Sequence, residues 1–265
     1  MSYSEEMDFQ EKEATVNAIR SCLGAKTEML RCARALEVGG SGGILAGLLS
    51  NEVSHVISTD IDDISVKYDG QFPHLLKAKF QRNGRFVDLG KLEFLWADAQ
   101  TLPFRDGLFQ FVFSLNAFEH IPDPLAALSE AIRVTSPGGL IYIRFDPVWT
   151  ADSGSHFLHR IGAPWEHLIS SDAEVGAIMA DNGASDDEIY SYKNHMNRLP
   201  ASFYRDNFPS VVRRSGATIL HHESYAGCVD GSHLKHPNLA IAAEQLNCDI
   251  SDLLVRSFEF LIQRD

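Results

Sequence analysis

No run in this chain approaches the ~20 consecutive apolar residues that a membrane-spanning helix requires, although 45% of its 265 residues are hydrophobic. The start, Met1-Ser2-Tyr3-Ser4-Glu5-Glu6, lacks the basic residues that open a signal peptide. Cysteine is scarce, and Cys22, Cys32, Cys228 and Cys248 stand singly, with no metal or redox spacing. Reduced thiols in a cytoplasm are therefore expected. Positive charge is in deficit as well: 23 lysines and arginines face 36 aspartates and glutamates, for a net charge of −13. Nucleic-acid binders draw much of their affinity from phosphate contacts, so this balance disfavours such a partner. Low-complexity tracts and internal repeats are absent too, and the length suits one sizeable core.

What is present begins at Ala35-Leu36-Glu37-Val38-Gly39-Gly40-Ser41-Gly42-Gly43-Ile44-Leu45, a short apolar strand running into a glycine-dense turn. Backbone stripped of side chains turns sharply and lets a ligand press against it. Glu37, at the strand's end, would repel a pyrophosphate and welcome a cationic group. Neighbouring motifs fail on spacing. The dinucleotide pattern needs Gly-x-Gly-x-x-Gly, and Gly40 and Gly42 are followed by Leu45 instead. A phosphate loop needs a lysine after the turn, and none occurs between Lys26 and Lys67.

A second strand, Val56-Ile57-Ser58-Thr59, ends in Asp60-Ile61-Asp62. Asp60 follows Gly39 at roughly the 20-residue distance of a ribose-binding carboxylate, although strand-end aspartates also cap turns. A third strand, Leu92 to Ala97, ends at Asp98-Ala99. A fourth, Phe109 to Ser114, leads through Asn116 to Phe118-Glu119-His120-Ile121-Pro122-Asp123-Pro124. Pro124 opens a helix with Leu125, Leu128 and Ile132 in its apolar stripe, and Pro137-Gly138-Gly139 is expected to end it. Leu140 to Phe145 then begins a fifth strand. Alternating strands and helices imply a parallel sheet covered on both faces.

These residues resemble class I S-adenosylmethionine-dependent methyltransferases, in the small-molecule branch that shares the pattern of the ubiquinone/menaquinone C-methyltransferases. The carrying segments are Leu36 to Gly43, Thr59-Asp60, Ala97-Asp98 with Leu102-Pro103-Phe104, Phe118 to Pro124, and Arg133-Val134 with Pro137-Gly138-Gly139. The resemblance implies an α/β, Rossmann-like sheet of seven mostly parallel strands, the last antiparallel, with S-adenosylmethionine across the strands' carboxyl ends. It further implies that Glu37 and the turn Gly39, Gly40, Ser41 and Gly43 hold the methionine portion. Asp60 with Ile61 would hold the ribose, Asp98 with Ala99 the adenine, and Asn116 would border them. Ser41 departs from the family, which has glycine there, and Gln110 stands where an aspartate is usual.

One domain is expected over 1–265. Helices would fill 1–30, with Glu5 to Ile19 an acidic amphipathic helix over the crevice. The cofactor core would span 31–147, a lid 148–199, and helices with the last two strands 200–265. Trp149, Phe157 and Trp165 of the lid are expected to stack on an acceptor or close over it. Most histidines fall after residue 150, yet their spacing fits no metal template, and no metal is expected. Methyl transfer to a hydroxyl needs a base, for which His156 is the first choice, with His120 and Asp146 next. The function expected is O-methylation of a small polar acceptor such as a sugar or secondary metabolite. C- or N-methylation, or a non-catalytic scaffold with the cofactor fold, are the alternatives.

Overall fold

Strands form where β-branched and aromatic residues run together, and the helices between them fix their parallel direction. The computed structural model describes residues 4–227 and 231–265; Cys228 and the opening Met1-Ser2-Tyr3 lie outside the described residues. Helix α1 (Glu5–Leu23) precedes β1 (Arg34–Val38), α2 (Ile44–Leu49), β2 (His55–Asp60), α3 (Ile64–Lys67) and α4 (Phe72–Arg82). Then come β3 (Leu92–Trp96), β4 (Phe109–Leu115), α5 (Pro124–Val134) and β5 (Thr135–Phe145). Short helices α6 (Leu158–Ile161), α7 (Glu166–Ile169), α8 (Asp172–Asp181) and α9 (Asp186–Asn194) follow. The described chain closes with α10 (Ala201–Arg214), β6 (Ala217–Ala226), α11 (Pro237–Leu246), α12 (Ile250–Leu254) and β7 (Val255–Arg264).

The seven strands lie in the order β3-β2-β1-β4-β5-β7-β6. Neighbours from β3 through β5 pair in parallel, and β7 alone runs against both β5 and β6. This is the expected sheet. Strand order reverses on either side of β1, where β2 lies to one side and β4 to the other, and that switch opens a crevice at the strands' carboxyl ends. Period-two alternation divides the core between the two faces. Val112, Ile141, Ile143, Phe258 and Phe260 face α5 and α10, whereas Phe111, Phe113, Leu140 and Tyr142 face α1, α2 and α4.

Helix α5 starts where Asp123 accepts hydrogen bonds from the Leu125 and Ala126 amides, with Pro124 in its first turn. It ends at Val134, earlier than Pro137-Gly138-Gly139 suggests; those three residues already belong to β5. The reason is the pairing of Thr135 with Phe109, which draws the chain into the sheet as soon as the helix stops. Helix α1 is held by charge. Arg82 pairs with Glu5 at 2.7 Å, and Arg85 pairs with Glu6 at 2.7 Å and Glu13 at 2.8 Å while lying over the Phe9 ring. Its acidic face thus meets the basic end of α4.

The segment 148–199 has more internal order than its loop-like composition suggests. Ser171 and Ser185 each close a capping box, which starts α8 and α9. Trp149, Ile161, Val175, Met179, Tyr192 and Met196 form a core of their own. The tryptophans are spent on this packing: Trp165 is fully buried and donates to the Leu253 carbonyl, while Trp149 stacks edge-on against His167 beneath Arg198. Neither is a free platform for an acceptor. No helix among the described residues is long and apolar enough to cross a membrane.

Candidate active site

The glycine turn leaves β1 by bonding to β2. The amides of Gly39 and Gly40 both donate to the Thr59 carbonyl at 2.9 Å, which folds the chain back over the strand end. Gly39 has φ +75°, and a Cβ there would lie 2.3 Å from that of Ala117. The turn therefore touches the loop after β4, beside Asn116. Ser41 takes the left-handed φ of +35°, exposes its side chain, and donates its amide to Asp60 Oδ2 at 2.8 Å. Gly43 is buried against Phe72, Leu76 and Phe94, so it fits α2 to the sheet.

Glu37 lies beneath the turn rather than facing the crevice. Its carboxyl is buried, accepts a 2.6 Å hydrogen bond from the Ser58 hydroxyl, and lies under Gly40. Burial pushes its pKa up to about 8 against the opposing Ser58 bond, with Asp60 adding to the rise. Such a group keeps its proton in the native state where the unfolded chain has already lost it. The stability it contributes is thus complete below the unfolded value of 4.5 and is lost as pH rises through about 8. Without cofactor, melting temperature should fall from pH 6.5 to 8.5. About 2 kcal/mol of the loss should come from Glu37. Glu119, raised by the same cause, adds in the same direction. Glu37→Gln should flatten the slope; an unaltered slope would mean that Glu37 is ionised in the native protein.

Asp60 both caps and presents: its other oxygen accepts from the Asp62 amide at 2.9 Å. Beside it Ile61 is 62% exposed and Trp96 59% exposed, an apolar surface that folding has left open. The Ala97 amide donates to the Asp60 carbonyl, which brings the ends of β2 and β3 together. Asp98 comes next, held by the amide of Gln100 at 2.8 Å and by its side chain, with Ala99 between them.

A cleft of about 510 Å³ opens where β4 and β5 end, beneath α1. Asn116, Asp146 and His156 line it, as do Glu11, Thr15, Arg144 and Arg256. Asp146 accepts from Arg256 Nε at 2.9 Å. His156, with φ +64°, stacks on His120 with ring centroids 5.2 Å apart. Although both rings keep solvent-exposed surface, partial desolvation in the crowded cleft and the neighbouring His120 lower the His156 pKa, and partial desolvation lowers that of His120. The structure thus gathers Asn116, Asp146, His156 and His120 around one cleft, with the glycine turn in contact alongside. Arg256 and the α1 residues were not legible as site residues, because they come from distant segments without a motif. Glu119, beside His120, carried a signal in its Glu-His pair.

Residues 36–143 match the model of the family described as "Methyltransferase domain". An uncharacterized methyltransferase of Mycobacterium sp. (strain JLS) is 32% identical over 121 residues, 46% of this chain and 41% of that protein. A chloroplastic tocopherol O-methyltransferase of Arabidopsis thaliana is 45% identical over 128 residues, 46% of this chain and 36% of that protein. The chain therefore spans under half the length of these relatives. Among solved structures, a putative sarcosine dimethylglycine methyltransferase from Galdieria sulphuraria superposes with TM-score 0.54 at 16% identity, covering 97% of this chain and 86% of that one. Residues 36–143 are a class I methyltransferase domain, of the kind whose cofactor is S-adenosylmethionine.

Proposed function

We propose that the chain methylates an oxygen of a small polar acceptor, such as a sugar or secondary metabolite, from S-adenosylmethionine. The close approach of Gly39 to Ala117, next in the chain to Asn116 of the cleft that Asp146 and His156 also line, carries this reading. The turn suits the cofactor: a Cβ at Gly40 would strike Ser58 and Glu37, whereas one at Gly42 would meet nothing, so the outer face is bare. Gly39, Gly40 and Ser41 would hold the methionine portion, with Glu37 bracing the turn from beneath and Gly43 setting its exit. Asp60 with Ile61 would take the ribose, Asp98 with Ala99 the adenine, and Asn116 the edge nearest the acceptor.

When bound, the cofactor offers a sulfonium methyl, so that an acceptor lone pair forms the C–O bond while the C–S pair stays on sulfur. The acceptor's proton leaves through the edge of the cleft formed by His156 and His120, with His156 facing the acceptor. Asp146, oriented by Arg256, borders the same space. The likeness to a tocopherol O-methyltransferase supports oxygen over nitrogen or carbon. A small molecule as the partner and a cytoplasmic location fit the acidic composition and the free thiols of Cys22, Cys32 and Cys248.

Calorimetric titration with S-adenosylmethionine, followed by a methyl-transfer screen over hydroxylated metabolites, tests the reading. Absence of cofactor binding would sink it in favour of a scaffold, and transfer only to amines or carbon would move the acceptor atom. Asp60→Ala should weaken cofactor binding by about 1–3 kcal/mol, the usual loss for a charge-assisted hydrogen bond. Asp98→Ala should cost less, because apolar contacts also hold an adenine ring. Unchanged affinity in Asp60→Ala would remove it from the ribose site.

A further inference from the structure

Glu119 is 1% exposed, and neither of its carboxyl oxygens makes a well-formed hydrogen bond among the described residues; only its own amide and that of Asp146 approach it loosely. A buried carboxyl left so is costly, and native folds seldom keep one without a compensating ligand. Its surroundings are rich in donors for a cation. His120 Nε2 lies 3.8 Å from Glu119 Oε1, and the ligating atoms of Glu119, His120 and His156 all fall within 4.8 Å of one another. His120 Nδ1 is 2.8 Å from the His195 carbonyl. A carbonyl can only accept, so Nδ1 carries the proton and Nε2 keeps its lone pair on the Glu119 side. That is how metal-binding histidines are oriented by a second partner.

We propose that Glu119, His120 and His156 bind one divalent transition-metal ion at the edge of the acceptor cleft. Two imidazoles and one carboxylate suit Zn²⁺, Co²⁺, Mn²⁺ or Fe²⁺, whereas Mg²⁺ and Ca²⁺ prefer oxygen alone. Three protein ligands leave coordination positions free, and the cleft supplies the room for a substrate oxygen to take one. A second group, Cys22, His221 and Glu259, is equally close, but the Glu259 carboxyl already accepts from the Tyr142 hydroxyl at 2.9 Å and pairs with His221. It has no comparable vacancy to fill.

Ion binding stands by itself, while its chemical role rests on the proposed methyl transfer. An acceptor hydroxyl on the ion loses its proton more readily. With the imidazole lone pairs engaged, that proton passes to the Asp146 carboxyl, and the ion holds the resulting alkoxide without changing oxidation state.

The test uses the full chain, stripped with a chelator and titrated with Co²⁺ while visible absorption is followed and bound metal is counted by mass spectrometry. One ion per chain is expected. Glu119→Gln and His156→Asn should each weaken Co²⁺ binding by at least about 10–100-fold, since disturbing even an indirect partner of a ligand costs that much. Asparagine suits the left-handed backbone at 156, so that variant should fold. S-adenosylmethionine affinity should be preserved in both, and Cys22→Ser should leave Co²⁺ binding untouched. Failure to bind Co²⁺ stoichiometrically, binding undiminished in both variants, or binding abolished by Cys22→Ser would each overturn the proposal. Cofactor binding and transfer that persist without metal would overturn the ion alone, whereas loss of cofactor binding by the unmodified chain would strike the methyl-transfer reading instead.

Discussion

His156→Asn is expected to cut turnover by about 10²–10⁴-fold while leaving cofactor affinity nearly intact, the range for losing assisted proton removal, whether the ring takes the proton itself or, as an ion ligand, readies it for Asp146. The separation follows from placement. His156 lines the acceptor cleft with Asp146 and Arg256, whereas Glu37, Asp60 and Asp98 gather around the strand ends at the turn. In either role the ring must be unprotonated, and its lowered pKa favours that form through the neutral range. Turnover should therefore fall only at a pH below the imidazole's ordinary value of 6.5, rather than near neutrality. Kinetics from pH 4 to 8 on both proteins check this. Undiminished turnover in the variant would take His156 out of the chemistry and leave His120 and Asp146 as the groups to examine.

Gly39→Ala should destabilise the chain by roughly 2–5 kcal/mol, the sum of a strained left-handed backbone and an overpacked contact. The added methyl would lie 2.3 Å from the Ala117 Cβ, and neither side can yield easily. On one side the Gly39 amide is bonded to Thr59; on the other, the Asn116 amide beside Ala117 is bonded to the Arg144 carbonyl. Relief would have to come from moving the turn, so cofactor affinity should fall with stability. Denaturant melts and calorimetry on one preparation would show both losses. A stable variant with full affinity would mean that the turn and the β4 loop are not coupled.

The strands of the proposed cofactor half were readable because each apolar run closes on an acidic residue at or just past its end, Glu37, Asp60 and Asp98. The sheet's direction followed from the helices between those runs. Helix α4 escaped notice because only Phe72, Leu76 and Phe80 are buried, a thin stripe among charged residues after Gly70. Segment 148–199 was legible as a lid of helix and loop but not as a unit with its own core, because its apolar residues are far apart in sequence and meet only through the turns that α8 and α9 make. Glu37 was read by position, yet its depth under Gly40 depends on Ser58 of the next strand. Glu119 shows the sharper limit. A Glu-His pair can be seen in a sequence, but a carboxyl without a partner is a property of everything packed around it.

Strand β7 follows β6 in the chain but lies between β5 and β6 in the sheet. During synthesis β6 therefore leaves the ribosome with no neighbour to pair with, and β5 waits with an open edge. The segments that carry the proposed cofactor residues can assemble earlier, since β1 to β5 already lie side by side without β7. Insertion of Val255–Arg264 is the zipping event that seats both waiting strands at once. Arg256, which orients Asp146 in the acceptor cleft, arrives with that strand. A nascent chain could thus acquire its cofactor grip before its acceptor cleft is complete.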